Sequence, residues 1–135
     1  MICLDNSVLR KFADPDPDPQ VVTYLDSHAS EVWIVPAIIA YEFYSVESDR
    51  TAVQRLQLLL REAIDEIRPF TDDVAVEAAV LEGSLQKQNR SLGTADLLSA
   101  ATAREAGATF VTADKRDFDK APLHELLELD IIDVS

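Results

Sequence analysis

The sequence has few of the residues that build disulfides and soft-metal sites. Its 135 residues include one cysteine and two histidines. A single cysteine cannot form an intramolecular disulfide, and there is no set of Cys and His residues for a zinc-type site. We expect Cys3 to be a buried thiol in a strand rather than a nucleophile, and we assign no chemistry to His28 or His124.

Long hydrophobic runs are also missing. No stretch approaches the roughly 18 uninterrupted apolar residues of a membrane span. The N-terminus does not show the basic segment and apolar segment of a secretion signal. These features predict a cytoplasmic protein that does not span a membrane. With 47% hydrophobic residues, the chain can build one sizeable core, and we expect residues 1–135 to form a single domain.

Positive charge is the third scarce feature. The chain has 25 acidic residues against 12 basic ones, for a net charge of −13. A surface of this kind repels polyanions at long range. It suits a high-salt cytoplasm, where the Debye length falls to about 3 Å at 1 M salt and self-repulsion is screened. We therefore expect a halophilic source, with an ordinary acidic protein as the alternative.

Short apolar runs alternate with amphipathic segments along the chain. Hydrophobic periodicity and turn residues predict strands and helices in alternation. The predicted strands are 2–4, 32–35, 67–70, 108–112 and 130–134, and the predicted helices are 8–12, 21–28, 37–48, 51–67, 74–85 and 95–105. In helix 51–67 we expect Leu59 to face the core. This order predicts an α/β sandwich with a central, mostly parallel sheet.

Four acidic residues stand where a carboxylate is locally awkward. Asp5 and Asp114 directly follow predicted strands, Asp96 lies in the first turn of a helix, and Glu42 lies within an apolar helix. Ligand sites of parallel sheets lie beyond the carboxyl ends of the strands, so Asp5, Asp96 and Asp114 are expected to converge there. The position of Glu42 does not fix its direction. Clustered carboxylates repel one another unless a cation, usually a hard divalent one, lies between them.

Four segments together resemble a known family. They are Leu4–Leu9, Ile39–Phe43, Leu92–Ala103 and Val111–Phe118, in the order and at the separations of the PIN domain family, and within it of VapC-like toxins. The resemblance implies a three-layer α/β/α fold, Mg²⁺ or Mn²⁺ at an acidic site, and endoribonuclease activity on RNA. It also implies a cognate antitoxin and a homodimer as partners. Asn6 departs from the threonine that is common in the family, although it can still cap the first helix.

The resemblance also implies roles for the acids. Asp5, Glu42, Asp96 and Asp114 take the catalytic and metal-binding positions, and Asp117 is a further metal-ligand candidate. We expect Asp5 and Asp96 to be the principal ligands. Asp114 completes the site or holds the ion through water, and Glu42 binds the ion or positions the attacking water.

Neighbouring polar residues have supporting roles in this interpretation. Ser7 and Thr112 are expected to donate hydroxyl hydrogen bonds that orient the carboxylates. A helix cap for Ser7 and a strand-end turn for Thr112 are the alternatives. Lys115 and Arg116 are candidates for phosphate contacts, with local salt bridges as the alternative, and the same holds for Arg10 further along the surface.

Other functional classes remain open at this stage. A phosphotransfer receiver domain is also a small acidic α/β unit, but it ordinarily needs an acidic pair after the first strand, where this chain has Asp5 and Asn6. A PIN-like interaction module without catalytic activity is favoured only if the four acidic residues are replaced by other residue types, and all four are present. A housekeeping RNA-processing nuclease of the same fold is a close variant of the toxin hypothesis.

Overall fold

A central sheet of five short strands organises the fold. The computed structural model describes residues 1–134. The strands are β1 (Ile2–Leu4), β2 (Trp33–Pro36), β3 (Glu66–Arg68), β4 (Thr109–Thr112) and β5 (Leu129–Ile131). They lie in the order β3-β2-β1-β4-β5, and every pairing is parallel. The predicted mostly parallel sheet is confirmed, and β1 lies at its centre.

Eight helices connect and cover these strands within residues 1–134. Those in the first half of the chain are α1 (Asn6–Ala13), α2 (Pro19–Ser27), α3 (Ala37–Tyr44) and α4 (Arg50–Ala63). Those in the second half are α5 (Asp72–Gln86), α6 (Thr94–Ala106), α7 (Lys115–Phe118) and α8 (Ala121–Leu126). None of them is both long enough and apolar enough to cross a membrane.

The helices divide between the two faces of the sheet. Successive strand residues point to opposite faces, so Ile2 and Leu4 of β1 join one core cluster and Cys3 joins the other. Helices α1 to α4 supply the first cluster, and α5 to α8 supply the second. The α/β/α sandwich is thereby confirmed. Cys3 is fully buried, and burial raises the pKa of its thiol, which confirms a buried strand residue and not a reactive thiolate.

Local sequence signals set several helix ends. The Asp18 side chain accepts hydrogen bonds from the backbone N–H groups of Gln20 and Val21 in the first turn of α2. Asp49 and Thr71 cap α4 and α5 in the same way. Helix α6 ends at Gly107, whose φ of 67° is the left-handed conformation that favours glycine.

Several sequence predictions were wrong in detail. Helix α4 ends at Ala63 rather than at residue 67, and Leu59 is 60% exposed rather than in the core. Leu56 and Leu60 are about one helical turn apart and carry the packing of α4, which leaves Leu59 to one side of that face, about 60° from Leu56 and 100° from Leu60. Asn6 is the first residue of α1 and not its cap.

The end of the chain also departs from the prediction. Helix α8 was not expected, and β5 begins at Leu129 and ends at Ile131 rather than covering residues 130–134. Pro122 lies in the first turn of α8, where the missing N–H of proline is harmless. Leu123 of this helix is fully buried in the second core cluster, so tertiary packing supports a helix of only six residues.

Candidate functional site

The carboxyl ends of β1 and β4 bring two of the predicted acids to one edge of the sheet. These strands are paired in register, with Leu4 opposite Val111. Asp5 follows β1 directly, and its backbone N–H donates to the Val111 carbonyl at 2.9 Å. Asp114 lies two residues beyond the end of β4. The edge at which a parallel sheet places its ligand sites therefore carries both carboxylates.

Two hydroxyl groups hold the Asp5 carboxylate in place. Ser7 Oγ and Thr112 Oγ1 both donate to Asp5 Oδ2, at 2.9 and 2.8 Å. Each hydroxyl oxygen in turn accepts a backbone N–H, from Ala113 at 2.9 Å and from Asp114 at 3.0 Å. The hydrogen bonds predicted for Ser7 and Thr112 are present. They link the ends of β1 and β4 and fix one oxygen of a buried carboxylate.

Burial and neighbouring acids both oppose ionisation at this edge. Burial raises the pKa of Asp5, and the charge of Asp114 raises it further, against the hydrogen bonds from Thr112, Ser7 and the Asn6 backbone. Burial also raises the pKa of Asp96 to about 6, and the charges of four other acids add to this shift. These acids are Asp5, Asp117, Asp114 and Glu42. No basic side chain is among the causes that act on Asp5 or Asp96.

The charge of Glu42 acts on the same group of acids. Burial raises the pKa of Glu42, the charge of Asp5 raises it further, and Arg10 lowers it. Arg10 also donates to the Glu42 backbone carbonyl at 2.8 Å, which ties α1 to α3. Sequence reasoning considered Arg10 for phosphate contacts or a local salt bridge, and no local signal reveals a partner 32 residues away.

Helix α7 places the remaining predicted residues beside Asp114. The Asp114 carboxylate caps this helix and accepts the Asp117 backbone N–H at 3.1 Å. Asp114 raises the pKa of Asp117 through its hydrogen bond and its charge, while Lys120 and Arg116 lower it. Lys115 and Arg116 are exposed, and neither forms an ion pair within residues 1–134.

The donor set suits a hard divalent cation, although the carboxylates of residues 1–134 do not form a complete coordination site. As placed, no three His, Cys, Asp or Glu side chains among residues 1–134 are close enough together to hold a metal ion. The acids nevertheless act on one another electrostatically, and carboxylate oxygens are the ligands that Mg²⁺ and Mn²⁺ prefer. Asn6 Oδ1, next to Asp5 in sequence, is buried without a partner in the described chain. Charge and donor type therefore fit such an ion.

Comparison with known proteins identifies the family. The family model for the PIN domain matches residues 2–123. The chain belongs to the PIN domain family. This match confirms the resemblance carried by the four sequence segments. No curated protein matches the chain significantly.

Solved structures share the fold of this PIN domain over nearly their whole length. The crystal structure of FitAcB from Neisseria gonorrhoeae is 25% identical, with a TM-score of 0.74 and 96% of each chain covered. VapBC2 from Rickettsia felis, bound to a DNA fragment from their promoter, is 21% identical, with a TM-score of 0.78 and coverage of 98% of this chain and 100% of that one. Mycobacterium tuberculosis VapC20, a sarcin–ricin loop cleaving toxin, is 16% identical, with a TM-score of 0.61 and coverage of 94% and 96%.

Proposed function

We propose that this PIN domain protein is a Mg²⁺-dependent endoribonuclease, and that it is the toxin of a VapBC-type toxin–antitoxin pair. One observation carries the proposal: the buried Asp5 carboxylate is held by Ser7 and Thr112 at the carboxyl ends of β1 and β4, where Asp114 also lies, and the charges of Asp5 and Asp114 contribute to the raised pKa of Asp96. Such a group of acids is unfavourable alone and favourable around a divalent cation. Structural likeness to VapBC2 and to the sarcin–ricin loop cleaving toxin VapC20 supports RNA as the substrate and an antitoxin as the partner.

Phosphodiester hydrolysis explains why the chain needs these residues. When bound, Mg²⁺ lowers the pKa of a water molecule and offsets the negative charge that develops on the phosphate. We assign Asp5 and Asp96 as its principal ligands and Asp114 as a further one, direct or through water. Glu42, half-buried with a raised pKa, is suited to accept a proton from the attacking water. Asp117 remains a candidate for a fifth ligand.

Substrate contacts must come from outside this acidic edge. Lys115 and Arg116 are exposed beside Asp114, and we assign them to backbone phosphates of the RNA. Phosphate contacts position a nucleic acid but do not read its sequence. We therefore propose RNA in general as the substrate, contacted through its phosphate backbone.

The antitoxin and a second copy of the chain are the proposed protein partners. The structures of similar fold include FitAcB and a DNA-bound VapBC2. The toxin hypothesis and the housekeeping-nuclease hypothesis differ in their expected effect on the cell. Only a toxin should harm its host when it is expressed without its antitoxin.

The decisive experiment compares one acid at the site with one away from it. Asp96→Asn and Glu105→Gln each remove one carboxylate charge from α6, at opposite ends of the helix. We expect wild type and Glu105→Gln to cleave a structured RNA in Mg²⁺ or Mn²⁺, and Asp96→Asn to lose about 100-fold or more. Asp5→Asn should behave like Asp96→Asn.

Expression in a host cell then tests the biological role. Growth arrest by wild type and by Glu105→Gln, but not by Asp96→Asn, would support a toxin. Equal growth of all three with RNA cleavage intact would favour the housekeeping nuclease. Absence of metal-dependent cleavage by the folded wild-type protein would leave only the non-catalytic module.

A further inference from the structure

Two basic side chains beside the acidic edge are held by backbone carbonyls. Arg10 of α1 donates through Nη2 to the Glu42 carbonyl of α3 at 2.8 Å. Lys120, which directly precedes α8, donates through Nζ to the Ser91 carbonyl at 3.4 Å. Ser91 lies in the segment that leads into α6, the helix of Asp96. Each cation is therefore tied to a segment that carries or precedes a proposed site acid.

The sheet topology places these two cations on opposite sides of Asp5. Strand β2, which leads into α3, lies on one side of β1, while β4 and β5, which α7 and α8 connect, lie on the other side. Helices α1 and α3 pack into the first core cluster, and α7 and α8 pack into the second. A line from Arg10 to Lys120 therefore crosses the carboxyl edge of the sheet from one helix layer to the other.

The charges of the acids agree with this order. Burial raises the pKa of Glu42, and the charge of Arg10 opposes that shift. A hydrogen bond with the acid that caps α7 raises the pKa of Asp117, and the charge of Lys120 opposes that shift. Burial raises the pKa of Asp96, and the charges of Asp117 and Glu42 both add to it. Asp96 thus lies within electrostatic reach of one acid from each side.

Both basic side chains keep donors for a ligand. A guanidinium has five N–H donors and an ammonium has three. Within residues 1–134, neither Arg10 nor Lys120 forms an ion pair with a carboxylate. Phosphate oxygens accept short, charge-assisted hydrogen bonds from both kinds of group. A side chain that a carbonyl already holds also loses less conformational entropy when it binds a phosphate.

An acidic protein needs such contacts if it is to hold RNA. The net charge of −13 repels phosphates at long range, and the site acids add to this repulsion. A bound divalent cation offsets the repulsion at the phosphate that it contacts. The phosphates before and after that one need basic side chains on the two sides of the acidic edge.

We propose that Arg10 and Lys120 bind two phosphates of one RNA strand, on opposite sides of the phosphate that is cleaved. The strand then crosses the carboxyl edge from the helix layer of α1 and α3 to that of α7 and α8. This inference rests on the proposed function, because it takes the acidic edge as the place where RNA is cleaved.

The first test removes the charge of one RNA phosphate at a time. A single-stranded RNA that the wild type cleaves at a mapped bond is synthesised as a series, in which each member has one neutral methylphosphonate. Neutralising one phosphate on each side of the cleaved bond should lower kcat/KM of the wild type about 10-fold. Arg10→Met should show a similar loss on unmodified RNA and be indifferent to one of these replacements, and Lys120→Met to the other. Arg55→Met, exposed on α4, is the matched control and should respond like the wild type.

A binding measurement separates this proposal from the nuclease proposal. The affinity for a single-stranded RNA is measured with Ca²⁺ in place of Mg²⁺ while KCl is raised. Each phosphate contact to a single strand contributes about −0.7 to the slope of log affinity against log salt concentration. Arg10→Met and Lys120→Met should each flatten the wild-type slope by about 0.7, and Arg55→Met should leave it unchanged. A wild type that shows these differences but cleaves no RNA would support the two contacts and contradict the nuclease proposal.

Arg10→Gln and Lys120→Gln serve as second variants if a methionine variant does not fold, as judged by thermal melting. The proposal is overturned if the wild type binds no RNA, or if the folded variants keep the wild-type slope. It is also overturned if both variants become indifferent to the same phosphate, or if the two sensitive phosphates lie on the same side of the cleaved bond.

Discussion

At the scale of single residues, the hydroxyl of Thr112 is the part of the site most directly open to test. It donates to Asp5 Oδ2 and accepts from the Asp114 backbone, so it positions two of the four acids. Thr112→Val keeps the shape but removes both hydrogen bonds. We expect RNA cleavage to fall about 10–100-fold, with a loss of roughly 1–2 kcal/mol in the free energy of unfolding. Steady-state cleavage and urea unfolding measure the two effects.

Thr102→Val is the matched control for this substitution. Thr102 is also buried, but its hydroxyl donates to the Leu98 carbonyl within α6 and not to a site acid. It should lose no more stability than Thr112→Val and keep normal cleavage. Equal cleavage by the two variants would show that the Thr112 hydroxyl does not orient the site.

Asp96 supplies a pH-dependent prediction. Burial and neighbouring acids raise its pKa from an ordinary value of 3.8 to about 6, so the folded chain holds this proton more tightly than the unfolded chain. The stability contributed by protonated Asp96 is present below pH 3.8 and is lost as the pH rises through about 6. Without divalent metal at pH 7.5, Asp96→Asn should therefore be more stable than wild type. Solvent screening and the lost helix-dipole attraction reduce the gain to about 1 kcal/mol.

Thermal melting with chelator measures this difference. The gain should correspond to a Tm increase of about 3 °C and should shrink at pH 4.5. Glu105→Gln should show no such pH-dependent gain. Added Mg²⁺ should raise the Tm of wild type more than that of Asp96→Asn, and an identical response of both would count against Asp96 as a ligand.

The sequence predicted most of the residues at this site and few of their contacts. Asp5 and Asp114 could be placed at one edge because strand ends are visible in the sequence and parallel strands share an edge. The direction of Glu42 could not be predicted, because it depends on how α3 packs against the sheet and α1. The contact of Arg10 with the Glu42 carbonyl depends on that same packing.

At the scale of helices, two glycines give opposite predictions for the same substitution. Gly107 ends α6 at a φ of 67°, and an alanine there is strained although no atom lies within 4 Å of the added methyl group. Gly83 lies inside α5 and also has open space around the added methyl group. We expect Gly107→Ala to destabilise by about 1 kcal/mol and Gly83→Ala to stabilise by about 0.5–1 kcal/mol.

Urea unfolding of both variants measures these changes, and each variant is the control for the other. Both substitutions add one methyl group in open space, so changes of opposite sign in the free energy of unfolding would be due to backbone conformation. Destabilisation by both, or stabilisation by both, would contradict the geometry assigned to the end of α6.

Helix boundaries and faces also show where sequence reasoning loses accuracy. The starts of α4 and α5 were predicted within two residues, and in the structure the Asp49 and Thr71 side chains cap them. Leu59 was misplaced because hydrophobicity alone does not show which apolar face has a partner. Helix α8 was missed because six residues carry too little periodicity, and its stability comes from buried Leu123.

At the scale of the whole molecule, the family match and the two-sided core agree with the strand and helix order of the sequence. Alternation of short strands with helices leaves few topologies open, and a wholly parallel sheet covered on both faces is among them. The cavity bounded by α3, α4 and β3 was not predictable in this way. It is formed by α3, α4 and β3, and depends on the angle and spacing at which they meet.

The net charge of −13 gives a prediction for the entire fold. Self-repulsion opposes the compact state, and salt screens it over a Debye length that falls from about 10 Å at 0.1 M to about 3 Å at 1 M. If the protein is adapted to high salt, raising KCl from 0.1 to 2 M at pH 7.5 should raise its Tm by several degrees. The same scan near pH 4.3, the isoelectric point, is the control, because little net charge remains to be screened. A Tm at pH 7.5 that stays flat or falls with KCl would show that self-repulsion is not a major cost and would remove the argument for a halophilic protein.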